Sequence, residues 1–194
     1  NCISLISIPA VTGSISGDKY NFKKHGLVAG GVIGQIALGG SLKDSYSNAD
    51  ISTTSYVGGI AGYSYGSIYG CYAVGNLNSK ADFGGGIVGY NDGTAATVKR
   101  CVAINSLINI DDQQGWASRV VGGIKNDAPA PEMSNYAYKE MVISVNGEAK
   151  KLYDDIMNGT SKTLDALKQQ DTYEILDWDF TNTWGIEEGS GYPY

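Results

Sequence analysis

Gly85-Gly86-Ile87-Val88-Gly89 repeats Gly58-Gly59-Ile60-Ala61-Gly62 and Gly30-Gly31-Val32-Ile33-Gly34 at offsets of 27 and 28 residues. A degenerate fourth copy, Gly122-Gly123-Ile124-Lys125-Asn126, reads 37 residues further on, with the extra length assigned to the polar stretch Asp111 to Arg119. Self-similarity at a period of about 20–50 residues marks an array of stacked units.

Outward from that block a second strand recurs. Leu42, Ile68 and Val98 form one column, and Ser45, Cys71 and Cys101 follow three residues later. Met133 and Tyr136 continue the two columns in degraded form. At the start, Asn1-Cys2-Ile3-Ser4-Leu5 parallels Gly70-Cys71-Tyr72-Ala73-Val74, so the chain opens in mid-repeat and reads as part of a longer polypeptide. The segments are short, β-branched or aromatic, and punctuated by Gly, Asn and Asp, with no apolar period of 3.6. One such unit has nothing to bury its apolar face against, so neighbours must stack. The expected fold is all-β: a parallel β-helix-like solenoid of glycine-doublet repeats over residues 1–140, then a small helical and aromatic C-terminal cap over 141–194 in the same domain. An antiparallel sandwich or β-roll is the alternative, and repeat identity favours the solenoid. The glycine doublet is expected at a corner, supplying positive φ and letting the next coil's backbone approach.

The last quarter changes character. Lys150 to Asn158 and Thr163 to Leu176 carry helical patterning, with Thr163 as an N-cap before Leu164, Leu167 and Ile175. Trp178, Phe180 and Trp184 offer apolar area to plug an open solenoid end.

Composition narrows the function classes. Net charge is −6, and Lys23, Lys24, Lys99 and Arg100 occur as isolated pairs, so no basic stripe exists for nucleic acid. No apolar run approaches the roughly 18 residues of a membrane span, and Cys2 to Val11 lacks the basic region of a signal peptide. Any export signal or anchor is expected outside the chain.

The pattern GGIAGY and GGGIVGY, followed by a strand ending in Cys-x-Ala, resembles the GLUG motif in repeats of large secreted bacterial proteins, which also occurs beside some immunoglobulin A peptidases. The tail from Leu176 to Asp179-Phe180, through Trp184-Gly185-Ile186 to Tyr194, is similar to the segment that closes such arrays in Bacteroides-type surface proteins of gut bacteria. The resemblance implies an extracellular or cell-surface stalk or adhesin-like module with no catalytic residues to transfer. The peptidase link is not carried over, since the chain has no zinc-protease motif.

Residue by residue, chemistry is sparse. The three cysteines share one column, which makes them free, buried small hydrophobes; Cys71 and Cys101, on adjacent coils, could just reach one another. Gly84-x-Gly86-x-x-Gly89 matches a dinucleotide fingerprint in form, but no helix pattern follows it, so no cofactor is expected. His25 is the sole histidine and reads as a loop residue. Asp111-Asp112 and Asp154-Asp155 read as solvated loop acids, and Asn158-Gly159-Thr160 as an accidental glycosylation triplet. Asp44, Asp50, Asp82 and Asp92 fall in different columns, which argues against a cleft of paired carboxylates.

Tyrosine carries the functional expectation. Tyr46 and Tyr72 share a column, as do Tyr63 and Tyr90, while Tyr56, Tyr65 and Tyr69 crowd the same stretch. Outward rings could stack on sugars or anchor a protein; inward or mutually packed rings would be a structural ladder. The sequence thus points to a non-enzymatic surface module, adhesin-like or a stalk, with Tyr46, Tyr63, Tyr65, Tyr69, Tyr72 and Tyr90 as candidate contacts for a glycan or a host or bacterial surface protein. A carbohydrate-active solenoid enzyme, hydrolase or lyase, is the alternative.

Overall fold

A computed structural model describes residues 3–4 (backbone only), 27–80, 82–92, 97–125 and 134–194. The chain winds as a parallel β-solenoid, and among the described residues a full coil is bent into five short strands. In one coil these are Val57–Gly58, Ala61–Ser64, Ser67–Tyr69, Tyr72–Ala73 and Leu77–Ser79, after which Phe83–Gly85 stacks on Val57–Gly58 and the next coil begins. Strands at equal positions pair in parallel, and the five resulting sheets hold six, five, four, four and three strands. Among the described residues two antiparallel pairings depart from this: Val142–Val145 with Glu148–Ala149, and an isolated bridge between Asp155 and Gly159. Paired columns run on beyond residue 140, since Val142–Val145 stacks on Leu107–Ile110 and Thr160–Lys162 on Tyr136–Tyr138.

The register explains the sequence columns. Leu42 pairs with Ile68 and Ile68 with Val98. Ile51, Leu77, Ile108 and Ile143 form a second inward ladder, every member 1% exposed or less. Each such aliphatic side chain contributes about 1.5–3 kcal/mol when fully buried, so stacking identical units builds one continuous core. Ile3 pairs with Tyr46 and Tyr46 with Tyr72, which is the register expected for the opening segment. Cys2 itself, with Lys23, Lys24, His25 and Met133, lies outside the described residues.

The glycine motif works by close approach alone. Its first glycine faces the far side of its own turn: a Cβ on Gly58 would sit 1.9 Å from the carbonyl oxygen of Ala61 and 2.7 Å from the amide of Gly89. Its last glycine faces back, so that a Cβ on Gly89 would lie 2.6 Å from the Gly62 oxygen and 2.8 Å from the Val57 oxygen. Two sheets therefore meet backbone to backbone, closer than any side chain permits. The second glycine turns toward the six-stranded sheet, where a Cβ on Gly59 would meet the Ala73 methyl at 2.5 Å. None of these glycines has positive φ, contrary to the sequence expectation. The left-handed corner lies elsewhere, at Asp44 (φ 46°), Gly70 (φ 59°) and Arg100 (φ 56°), just before the cysteine column.

Two register readings are corrected. Val88 pairs with Val121 and Tyr90 with Gly123, so the fourth motif is Ser118-Arg119-Val120-Val121-Gly122 and not Gly122 to Asn126. Periodicity misled because a glycine pair happens to fall four residues late. Likewise Tyr136 pairs with Val102, which leaves Asn135, not Tyr136, above Cys101. The Asn135 side chain closes that column by accepting the Cys101 amide hydrogen and donating to the Val98 carbonyl, both at 2.9 Å.

The C-terminal region closes the fold in two ways. Residues 150–158 are irregular rather than helical, and they roof the last coil, where the Val120 and Val121 amides both donate to the Met157 carbonyl. Thr163 Oγ1 accepts the Ala166 amide hydrogen ahead of a short 3₁₀ turn, Ala166–Lys168, and a five-residue α-helix, Gln170–Glu174. Trp178 and Trp184 lie not on the solenoid end but along its flank, in one buried cluster with Tyr72, Val102, Ile104 and Tyr136. The outer face of the six-stranded sheet is itself apolar, so it demands a cover of its own.

Candidate functional site

The structure divides the six candidate tyrosines into three settings. Tyr46 and Tyr72 stack with centroids 5.0 Å apart and planes 7° from parallel. Tyr72 is 4% exposed; its hydroxyl donates to the Pro193 carbonyl at 2.5 Å, and Trp178 and Trp184 flank its ring. Burial pushes its phenol well above the usual range. This pair is a structural ladder under the C-terminal segment.

Tyr69 is half-buried and held by cations. The Arg100 guanidinium donates to its hydroxyl and lies 5.1 Å from its ring centroid, while the Lys99 ammonium stands 5.9 Å away. Arg100 also pairs with Asp177 at 2.6 Å and accepts Trp178 Nε1–H on its carbonyl, so this corner anchors the flank cover.

Tyr63, Tyr65 and Tyr90 come together at the open side of the glycine contact. Tyr63 and Tyr90 are paired on adjacent coils with centroids 5.5 Å apart, and Tyr65 lies 5.1 Å from Tyr63. The sequence reading left Phe83 out of this group and Tyr56 off the candidate set. Tyr56 packs against Tyr63, Phe83 and Tyr90 at 5.3, 5.8 and 5.4 Å, and Phe83 lies 4.9 Å from Tyr90. The signal was present: an aromatic two residues before the first glycine and one directly after the last, in consecutive repeats. Because the two glycine-lined sheets touch, those positions must converge.

Acids frame the patch. The Tyr63 hydroxyl donates to Asp92, which pairs with Lys125 at 3.0 Å, and Asp82 accepts the Ser55 hydroxyl at 2.7 Å. Burial first, then these carboxylates, push the Tyr56 and Tyr63 phenols upward, so both remain neutral hydrogen-bond donors at physiological pH. Tyr56 is sealed at 5% exposed, whereas the rings of Tyr63, Tyr65, Phe83 and Tyr90 are half-buried. The result is a fixed aromatic surface with phenol and carboxylate edges, chemistry suited to binding.

Several of the acids singled out in the sequence have structural partners. Asp50 accepts the Asn76 amide and Asp112 that of Gln114, while Asp154 pairs with Arg119 and Asp155 caps residues 157 and 158. The Asn158 amide group is spent on Asp155 and on the Arg119 amide. Cys71 and Cys101 are free and fully buried. Among the described residues no group of three or more His, Cys, Asp or Glu side chains could hold a metal ion, and no helix is long and apolar enough to cross a membrane.

By fold the chain is a parallel β-solenoid whose coils are pinched by glycine. Residues 53–78, one coil of it, match the family model of the GLUG motif. A crystal structure of a Bacteroides ovatus protein provisionally named an immunoglobulin A1 protease is similar, with 26% identity and a TM-score of 0.70. That likeness covers 87% of this chain and 53% of the other, so the chain spans about half its length. No curated protein matches the sequence significantly.

Proposed function

We propose that the chain is a non-enzymatic module of a secreted or cell-surface bacterial protein, a rigid spacer that also engages a glycan or a surface protein through Tyr63, Tyr65 and Tyr90. The observation that carries this reading is the half-buried patch itself: rings locked by mutual contact and by the Tyr63–Asp92 bond lose little freedom on binding. The GLUG motif and the Bacteroides ovatus relative support the surface setting. Any protease activity of that relative is proposed to reside in the half of its chain not matched here.

A glycan and host-matrix array, probed with the purified chain and with a Tyr63→Ala, Tyr90→Ala double variant, tests this. Selective binding by the parent that is lost in the folded variant is the expected result. No binding by a well-folded parent would leave the spacer role alone.

A further inference from the structure

We infer a second, independent binding site at the C-terminal end of the solenoid, a cleft suited to a neutral carbohydrate. The sheet containing Phe83–Gly85 ends with Trp116–Ser118, while its neighbour runs one strand further, Val142–Val145, and folds back as Glu148–Ala149. Where the missing strand would stack, a cleft of about 580 Å³ opens, lined by that last strand, the hairpin and residues 150–158. Its volume falls within the roughly 300–1,000 Å³ of small-molecule sites.

Two large exposed rings lie there, Trp116 and Tyr153, the latter with the Lys151 ammonium 5.3 Å from its centroid. Trp116 is 62% and Tyr153 61% exposed, whereas Trp178 and Trp184 are both buried. Trp116 continues the column of Phe83, but the residue paired with Tyr90 on the next coil is Gly123. A Cβ there would lie 2.5 Å from the Phe83 ring and 2.9 Å from that of Tyr90, so any side chain would have to displace the packed rings. The same packing that fills the patch below therefore strips Trp116 of the neighbour its column would predict.

The polar lining fits a ring bearing hydroxyl groups. Gln113, Gln114, Glu148 and Lys150 line the cleft, and among the described residues their side chains have no hydrogen-bond or ion-pair partner. Carboxylates from Glu148 and Asp155 are balanced by the ammonium groups of Lys150 and Lys151. With no net charge the lining has no Coulombic preference for a phosphate or an acidic sugar. Exposed aromatic faces stack on the C–H face of a pyranose, and the planar amides of Gln113 and Gln114 with the Glu148 carboxylate take up its hydroxyls. A neutral pyranose oligosaccharide is the occupant this combination fits.

The test is calorimetry together with the indole N–H resonances, using neutral hexasaccharides of glucan, mannan and chitin types, an acidic oligosaccharide and an extended peptide. The buried Trp178 and Trp184 indoles serve as internal references. One neutral sugar is expected to shift the Trp116 resonance selectively. Trp116→Ala and Tyr153→Ala, both at exposed positions, should each weaken that binding about 10-fold or more, while Trp116→Phe retains most of it. The Tyr63→Ala, Tyr90→Ala variant should leave it unchanged, which separates this site from the patch. No shift with any neutral sugar at millimolar concentration, binding indifferent to both single variants, or occupation by the peptide or the acidic sugar instead, would overturn the inference.

Discussion

Arg119 Nη2 lies 2.9 Å from Asp154 Oδ1, with the arginine side chain 1% exposed and the aspartate 45% exposed. By register Arg119 stands where lower coils carry Gly31, Gly59 and Gly86. A glycine there lets another coil stack; an arginine cannot be overlaid and instead reaches into the roof. Its guanidinium donates to Ser161 Oγ and to the carbonyls of Tyr153 and Gly159. The residue that ends the glycine column thus fastens the segment that ends the solenoid.

Replacing Arg119 by Ala should cost about 2–4 kcal/mol, because buried carbonyls lose their donors and a cavity replaces the side chain. Asp154→Asn should cost about 1 kcal/mol or less, since the carboxylate is largely solvated. Urea unfolding of the two variants measures the order.

Hydrogen bonds from Ser161, side chain then backbone, with help from Arg119, hold the Asp154 carboxyl below its ordinary value of 3.8. A depressed folded value means the contribution is complete above the unfolded value and is lost as pH falls through the folded one. Acid titration of stability should therefore show a loss below about pH 4 that is smaller in Asp154→Asn. An identical acid limb in both proteins would contradict this.

Glycine substitutions should grade by what a Cβ meets. Gly58→Ala and Gly86→Ala press a methyl into backbone at 1.9 and 2.2 Å and should cost about 3 kcal/mol or more. Gly39→Ala meets nothing within 4 Å but sits at φ +77°, so about 1 kcal/mol is expected. Gly191→Ala, open and without positive φ, should fall within about 0.5 kcal/mol of the parent. Thermal melts of the four proteins give the ranking.

The thiols should be silent. Cys71 is held well above its ordinary value by its hydrogen bond with Cys101 and then by burial, so the nucleophilic thiolate is scarce at pH 8. Alkylation of Cys71 and Cys101, read by peptide mass spectrometry, should proceed only in denaturant. Rapid labelling of either in the folded protein would be incompatible with this packing.

Removing the flank cover exposes an apolar sheet. Trp178 packs 4.6 Å from Trp184 and donates Nε1–H to the Arg100 carbonyl at 2.9 Å. Trp178→Ala should cost about 3–5 kcal/mol. Deletion of residues 163–194 should give aggregation, visible by light scattering, because Tyr46, Tyr72, Val102 and Tyr136 then lie bare on a β-sheet.

Repetition alone determined the architecture. Glycine blocks at offsets of 27 and 28 and the Leu42, Ile68, Val98 column fix a parallel stack, because identical units can bury identical faces only by lying on one another. The pairings of Tyr46 with Tyr72 and of Tyr63 with Tyr90 follow from the same register. Where the repeat decays the sequence misleads: Gly122-Gly123 imitates the motif, whereas Ser118-Arg119 occupies its place. Only tertiary structure decided which tyrosines reach solvent. Sheet alternation says a ring points outward; it does not say whether a tail more than a hundred residues later returns to cover it, as Pro193 and Trp184 cover Tyr72. The cleft at Trp116 was invisible for the same reason, since it arises from a strand that is absent above one sheet and present above the next.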